Sequence, residues 1–159
     1  MRALWITAIA TLATDQLSKA WVVHRLDLST LGRIEVVPNL LEFRMAWNRG
    51  VNFGLGASGS ELMRWGLVAL AVAISVWVIW WVRHDRLGAR AQIFAGLLVG
   101  GALGNVVDRL LYGAVADFLN VTCCGINNPW SFNIADVAVF AGAIGLALFT
   151  GPPAAQKTP

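Results

Sequence analysis

Long apolar segments separated by short polar ones dominate the chain. The clearest runs from Trp65 to Val82 without a charged residue and is bounded by Arg64 and Arg83. As a helix rising 1.5 Å per residue it is about 27 Å long, enough to cross the hydrocarbon core of a bilayer. Three other segments have similar character, so we expect four membrane helices, at residues 3–23, 65–82, 91–107 and 132–149.

The connection between the first two predicted spans has a different period. Residues 41–47 alternate between large apolar side chains and Glu42, Arg44 and Ala46, and Pro38-Asn39 marks a turn before them. A period of two is typical of a strand with one buried face. We therefore predict a mainly α membrane protein: a bundle of four transmembrane helices joined to a small extracytoplasmic β-sheet.

Composition supports the membrane class. Of 159 residues, 57% are hydrophobic and 13% charged, against roughly 25% charged in soluble domains. The net charge of +3 comes from arginines that flank apolar segments, as at membrane spans, so a nucleic-acid partner is not expected. We expect residues 1–150 to form one membrane-embedded domain and residues 151–159 a flexible tail. By density, Arg83, Arg86 and Arg90 in the short connection at residues 83–90 indicate the cytoplasmic side, whereas the raw count leaves the question open because the connection at residues 24–64 holds five arginines. We expect both termini in the cytoplasm.

Small residues recur along the third predicted span. Gly96, Gly100 and Gly104 are four residues apart, and Asp108 follows in the same register. This spacing lets two membrane helices pack backbone against backbone. The same face then carries Asp108 into the bundle rather than into lipid.

Few residue types remain for chemistry. The two histidines, His24 and His84, lie at the ends of predicted spans, and the cysteines form one adjacent pair, Cys123-Cys124. A catalytic zinc site usually needs three protein ligands, so we expect neither a metal nor another cofactor. Ser58 lies in a GxSG sequence typical of intramembrane serine proteases, but Ser58-x-x-Glu61 before an apolar helix also fits a helix-capping box, which is favoured.

Carboxylates are the remaining candidates, and four of the nine lie in or beside apolar sequence. Asp15 has Lys19 four residues later, the spacing of an ion pair on one helix face. Asp108 is followed by Arg109, and adjacent helix residues do not face each other, so we expect their partners across the bundle. Asp117 and Asp136 have no basic residue within seven positions. If brought together they share a proton and can hydrolyse a bond as aspartic proteases do; otherwise they are two unrelated polar anchors.

Five short sequences occur in an order that suggests a family: Asp15-Gln16-Leu17-Ser18-Lys19, Asn48-Arg49-Gly50-Val51-Asn52-Phe53-Gly54, Gly104-Asn105-Val106-Val107-Asp108-Arg109, Val115-Ala116-Asp117-Phe118 and Phe132-Asn133-Ile134-Ala135-Asp136. With them the chain resembles the lipoprotein signal peptidases, the type II signal peptidases of bacteria. The resemblance extends from about Ala3 to Phe149. Many members have a small residue where this chain has Asn52.

The resemblance implies a function and a site. It implies that Asp117 and Asp136 form a catalytic dyad that cuts diacylglyceryl-modified prolipoproteins just before the lipidated cysteine. Residues that bind substrate or support the site would be Asp15, Lys19, Asn48, Gly50, Asn105, Asp108, Arg109 and Asn133. It also implies a β cradle around residues 34–53 and a short surface helix over residues 54–64. The site would face the outer side of the cytoplasmic (inner) membrane, and globomycin-type cyclic peptides would inhibit the enzyme.

A second class of function stays open at this point. Buried charges also occur in small non-enzymatic membrane proteins, such as transporter subunits or assembly factors, where they form a path for protons or ions. In either case the phospholipid bilayer is a partner, and we expect a monomer.

Overall fold

The computed structural model describes residues 1–50, 61–122 and 128–150. In that part of the chain, helices cover each of the four apolar segments that the sequence predicts. Their bounds, with one additional short helix, are α1 Arg2–Lys19, α2 Leu28–Leu31, α3 Glu61–His84, α4 Ala89–Tyr112 and α5 Ile134–Phe149. A π-helical turn, Ala20–Arg25, continues α1. Two helices, α3 and α4, are both long and apolar enough to cross a membrane, and α5 is apolar but shorter.

The outer surface of α3 fits a lipid environment. Leu62 is 84% exposed, and Leu70, Val76 and Trp77 are also exposed along the helix. A contiguous apolar surface of this kind normally marks a membrane or protein contact. The exposed face of α3 is therefore consistent with the membrane class that composition indicates.

Glycines bring α1 and α4 into close contact, as the spacing along α4 predicts. A Cβ atom at Gly96 would lie 2.6 Å from the carbonyl oxygen of Leu4, and one at Gly100 would lie 2.5 Å from that of Ala8. A Cβ atom at Gly104 would lie 2.6 Å from Asp15 Oδ2. A side chain at any of these three positions would push the helices apart, so the glycines allow the short distance between α1 and α4.

A three-stranded antiparallel sheet packs beside the helices. Its strands are β1 Arg33–Val37, β2 Leu41–Asn48 and β3 Val115–Val121, in the order β1-β2-β3. The predicted strand over residues 41–47 is thus confirmed as β2, and a turn at residues 38–40 precedes it. The pattern of polar and apolar residues did not indicate β3. Phe118 on β3 and Phe43 on β2 contact edge to face, with Val22 and Leu28 in the same cluster.

The surface helix that the resemblance implies over residues 54–64 is wrong at its C-terminal end. Residues 61–64 form the first turn of α3 and are not part of a separate surface helix. Residues 54–60 of that expected helix lie outside the described residues, as do Asn52, Ser58, Cys123, Cys124 and the expected tail at residues 151–159.

Candidate active site

Asp117 lies in the middle of β3 and is buried. Pairing of β2 with β3 places it opposite Ala46, and 3% of its surface is exposed. Asn48, at the end of β2, donates a hydrogen bond from Nδ2 to Asp117 Oδ2 at 3.1 Å. The sheet therefore brings together residues 69 positions apart in the chain.

Asp136 lies in the first turn of α5 and takes part in its cap. Asn133 is the N-cap residue: its Oδ1 accepts a hydrogen bond from the Asp136 backbone N–H at 2.9 Å. In return the Asn133 backbone N–H donates to Asp136 Oδ2 at 3.3 Å. This reciprocal capping box satisfies amides that a helix leaves unpaired, and the helix dipole favours a carboxylate there. Asp136 is thus fixed by the start of its own helix.

The Asn133 side chain connects the two carboxylates. Its Nδ2 donates to Asp117 Oδ1 at 2.7 Å, while its Oδ1 holds the Asp136 backbone. Asn105 on α4 completes the arrangement by donating to Asp136 Oδ1 at 2.9 Å and accepting from Asn133 Nδ2 at 3.2 Å. The two carboxylates that the sequence singles out therefore lie in one hydrogen-bond network.

The pKa of Asp117 is raised to about 7. Burial is the main cause, and the negative charge of Asp136 adds to it. Hydrogen bonds from Asn48 and Asn133 and the charge of Lys19 oppose the increase in pKa. A carboxyl group with this pKa exchanges a proton near neutral pH, which suits general acid–base chemistry.

Arg109 corrects one inference from the sequence. Asp117 and Asp136 have no nearby cation along the chain, but in space the Arg109 guanidinium interacts electrostatically with both, and with Asp108. Arg109 donates to the Gly50 carbonyl oxygen at 3.0 Å and to that of Asn105 at 3.3 Å. A cation on α4 therefore lies within electrostatic range of both carboxylates, which their neighbours along the chain did not indicate.

A second group of charges is buried beside the first. Lys19 Nζ lies 2.8 Å from Asp15 Oδ2 and 2.8 Å from Asp108 Oδ2. These three side chains, here called the ion triad, confirm the predicted pair on α1 and the predicted partner for Asp108 across the bundle. Gln16 donates to both carboxylates, at 3.1 Å to Asp15 and 2.9 Å to Asp108. Gln16 was not singled out in the sequence and was marked only as a member of the short sequence Asp15-Gln16-Leu17-Ser18-Lys19.

An apolar groove reaches the dyad region from one side. Its volume is about 520 Å³, and its lining includes Trp130, Phe132, Phe140 and Ile144, together with Asp136. Across residues 1–50, 61–122 and 128–150, no group of three or more His, Cys, Asp or Glu side chains is arranged to hold a metal ion. The site thus combines two carboxylates, several amide donors and an apolar approach, a combination that suits acid–base hydrolysis of an apolar substrate.

Comparison with known proteins identifies the family. Residues 7–150 match the family model for signal peptidase (SPase) II. The lipoprotein signal peptidase of Methylorubrum extorquens (strain PA1) is 43% identical over 153 residues, which cover 94% of this chain and 85% of that protein. The lipoprotein signal peptidase of Nitrobacter hamburgensis is 39% identical over 158 residues, covering 95% and 94%. The chain belongs to the signal peptidase II family.

Solved structures agree with this assignment. One bacterial membrane enzyme, determined by the in meso method, superposes with a TM-score of 0.81 at 26% identity, over all of this chain and 94% of that one. A second, at 24% identity with a TM-score of 0.76, shares the fold. The chain is therefore a peptidase of bacterial membranes, and the alternative of a non-enzymatic transporter subunit or assembly factor is wrong.

Proposed function

We propose that this chain removes the signal peptide from diacylglyceryl-modified prolipoproteins, with Asp117 and Asp136 as its catalytic dyad. Membership of the signal peptidase II family supports the reaction. The observation that carries the dyad is the Asn133 side chain, which hydrogen-bonds to the Asp117 carboxylate and to the Asp136 backbone. Asp117 and Asp136 are both at least 95% buried, and two negative charges in one buried network are unfavourable.

The mechanism follows from one proton shared by two carboxyl groups. The ionised carboxylate takes a proton from a water molecule, which attacks the scissile carbonyl carbon. The protonated partner donates to the carbonyl oxygen, which gives a tetrahedral diol. When the diol collapses, the C–N bond breaks, the leaving amine takes the proton first removed from the water, and a diol hydroxyl returns a proton to the partner. Asp117, with its pKa of about 7, changes protonation state easily in such a cycle.

Surrounding residues hold this pair and its substrate. Amide groups bind the carboxylates, Arg109 reduces their mutual repulsion, and the apolar groove beside Asp136 accommodates the apolar part of the substrate. The proposed supporting set is Asp15, Lys19, Asn48, Gly50, Asn105, Asp108, Arg109 and Asn133.

The proposal includes a membrane arrangement. Residues 1–150 form one embedded domain with four spans, both termini lie in the cytoplasm, and the site opens toward the outer face of the inner membrane. The arginines between α3 and α4 support this orientation, because cationic residues concentrate on the cytoplasmic side. The enzyme acts as a monomer and is inhibited by globomycin-type cyclic peptides.

The test is replacement of each dyad carboxylate by its amide. Asp117→Asn and Asp136→Asn are purified in detergent, checked for folding by thermal unfolding, and assayed for cleavage of a lipidated precursor. We expect each to lose at least about 1,000-fold in kcat, since an amide can neither accept nor deliver the proton. Substantial turnover by either folded variant contradicts the dyad.

Asp85→Asn is the matched control. It makes the same chemical change at an exposed carboxylate that follows α3. We expect this variant to cleave at the wild-type rate. A non-lipidated precursor serves as the second control, and its cleavage at an equal rate contradicts the proposed substrate class.

A further inference from the structure

Two backbone amides beside the dyad lack a partner within their own secondary structure. Ala116 lies on β3, an edge strand of the described sheet, where one side of the strand has no neighbouring strand. Ala135 is the second residue of α5, and the first four amides of a helix have no acceptor within it. Buried amides of this kind need an acceptor from elsewhere.

The ion triad supplies both acceptors. Asp108 Oδ2 accepts from the Ala116 N–H at 3.0 Å, and Asp15 Oδ1 accepts from the Ala135 N–H at 2.9 Å. Each amide belongs to the residue that immediately precedes a dyad residue. One carboxylate of the triad therefore holds the backbone beside Asp117, and the other holds the backbone beside Asp136.

Lys19 makes the two anchors a single unit. Asp15 and Asp108 are fully buried, and Lys19 is 6% exposed. Two buried carboxylates repel each other unless a cation lies between them, and removing that cation leaves uncompensated charge. Because Lys19 contacts both at 2.8 Å, it fixes the distance between an anchor on α1 and an anchor on α4.

We propose that Lys19, through the ion triad, is a positioning residue that sets the relative placement of the two catalytic carboxylates. This inference rests on the proposed dyad. A displacement of β3 or of the α5 terminus moves a catalytic carboxylate directly, because only one residue separates it from the anchored amide. Acid–base catalysis depends on such placement, and an error of about 1 Å costs about 100-fold in rate.

The first test is Lys19→Met, which keeps an apolar stem and removes the cation. We expect kcat per folded molecule to fall about 100-fold, while KM changes by less than about threefold, because the groove that holds the substrate stays intact. Amide exchange at Ala116 and Ala135 is expected to accelerate relative to other amides of β3 and α5. A folded variant with wild-type kcat, or with unchanged exchange at both amides, overturns the proposal.

Glycine substitutions provide a second test that removes no charge. In Gly104→Ala the new Cβ atom would lie 2.6 Å from Asp15 Oδ2 and must displace that carboxylate. In Gly96→Ala, two turns earlier on the same face, it would lie 2.6 Å from the carbonyl oxygen of Leu4, eleven residues before Asp15 on α1. Both variants crowd α1 against α4, but only Gly104→Ala does so at a carboxylate of the triad.

Comparison of the two glycine variants distinguishes an effect on the position of the carboxylates from a general effect on helix packing. We expect Gly104→Ala to lower kcat per folded molecule at least about tenfold, and Gly96→Ala to lower stability without that loss. Equal losses of kcat in both variants, or none in Gly104→Ala, overturn the proposal even if Lys19→Met does not fold.

These outcomes are distinct from failure of the proposed function. If Asp117→Asn or Asp136→Asn retains turnover, the dyad is wrong, and exchange at Ala116 and Ala135 still reports whether the triad holds those amides. If both are inactive while folded Lys19→Met cleaves normally, the dyad stands and the positioning role is wrong.

Discussion

Asn133 has two tasks that substitution can separate. Its Oδ1 caps α5 through the Asp136 N–H, and its Nδ2 donates to Asp117 at 2.7 Å. Serine at this position keeps an oxygen for the cap but has no amide donor, whereas alanine has neither. Both variants therefore lose the donor to Asp117, but only Asn133→Ala also loses the helix cap.

The expected magnitudes follow from these contacts. Loss of a helix N-cap costs about 1 kcal/mol, so Asn133→Ala is expected to be less stable than Asn133→Ser by that amount. A hydrogen bond to a charged group contributes about 1.5–3 kcal/mol, so both variants are expected to lose stability relative to wild type when Asp117 is ionised. The pKa of Asp117 rises in both, because the Asn133 hydrogen bond lowers it.

The assay compares unfolding free energy with turnover for the two variants in the same detergent. We expect kcat to fall by a similar factor in both, at least about tenfold, since both lack the donor that orients Asp117. If turnover instead follows stability, with Asn133→Ser close to wild type and only Asn133→Ala impaired, Asn133 acts as a cap and the bridging role is refuted.

Two other predictions concern the pKa of Asp117, which is about 7 in the fold against an ordinary value of 3.8. Between these values Asp117 binds more protons in the folded state than in the unfolded chain, so its contribution to wild-type stability falls as pH rises through this range. Asp117→Asn removes that dependence, and its unfolding free energy relative to wild type should increase from about pH 4 to about pH 8; a constant difference contradicts the raised pKa. Asn48→Ala removes a donor that lowers this pKa. Because the higher pKa of a pair that shares one proton sets the alkaline limb of the kcat/KM profile, that limb should move to higher pH. An unchanged limb, measured beside Asp85→Asn as control, contradicts the role of Asn48.

The helices could be predicted because membrane burial leaves a strong trace in sequence. An uninterrupted apolar run such as residues 65–82 has few alternatives to a helix of that length. Strand β2 was also recognisable, because its alternation of Phe43 and Met45 with Glu42 and Arg44 reflects two different surroundings. Periodicity could not show where α4 ends: the helix continues past residue 107, the predicted end of the span, to Tyr112.

Strand β3 was hidden because both of its faces are covered. Residues 115–118 are all buried. The segment therefore shows no alternation of polar and apolar residues, and apart from Asp117 it looks like a continuous apolar run. The same run could belong to a buried helix. Only its pairing with β2, which depends on residues far away in the chain, makes it a strand.

The dyad could be suspected from charge, but its surroundings could not. Counting basic neighbours along the chain singled out Asp117 and Asp136, whereas Arg109 reaches both only through the fold. The shared use of Asn133 was likewise invisible, because a cap residue and an active-site donor look the same in sequence. Spacing predicts contacts within one helix, as for Asp15 and Lys19, and is silent on contacts between elements.

The order of the site residues along the chain has a consequence for biosynthesis. Lys19 is synthesised before the other site residues except Asp15, whereas Asp136 lies in α5, which follows the other described helices, and Asn133 is the N-cap of α5. A nascent chain that ends before α5 therefore contains Asp117 without Asp136 and without the residue that joins them. If the proposed dyad is catalytic, such an unfinished copy stays inert in the membrane and needs no separate inhibitor.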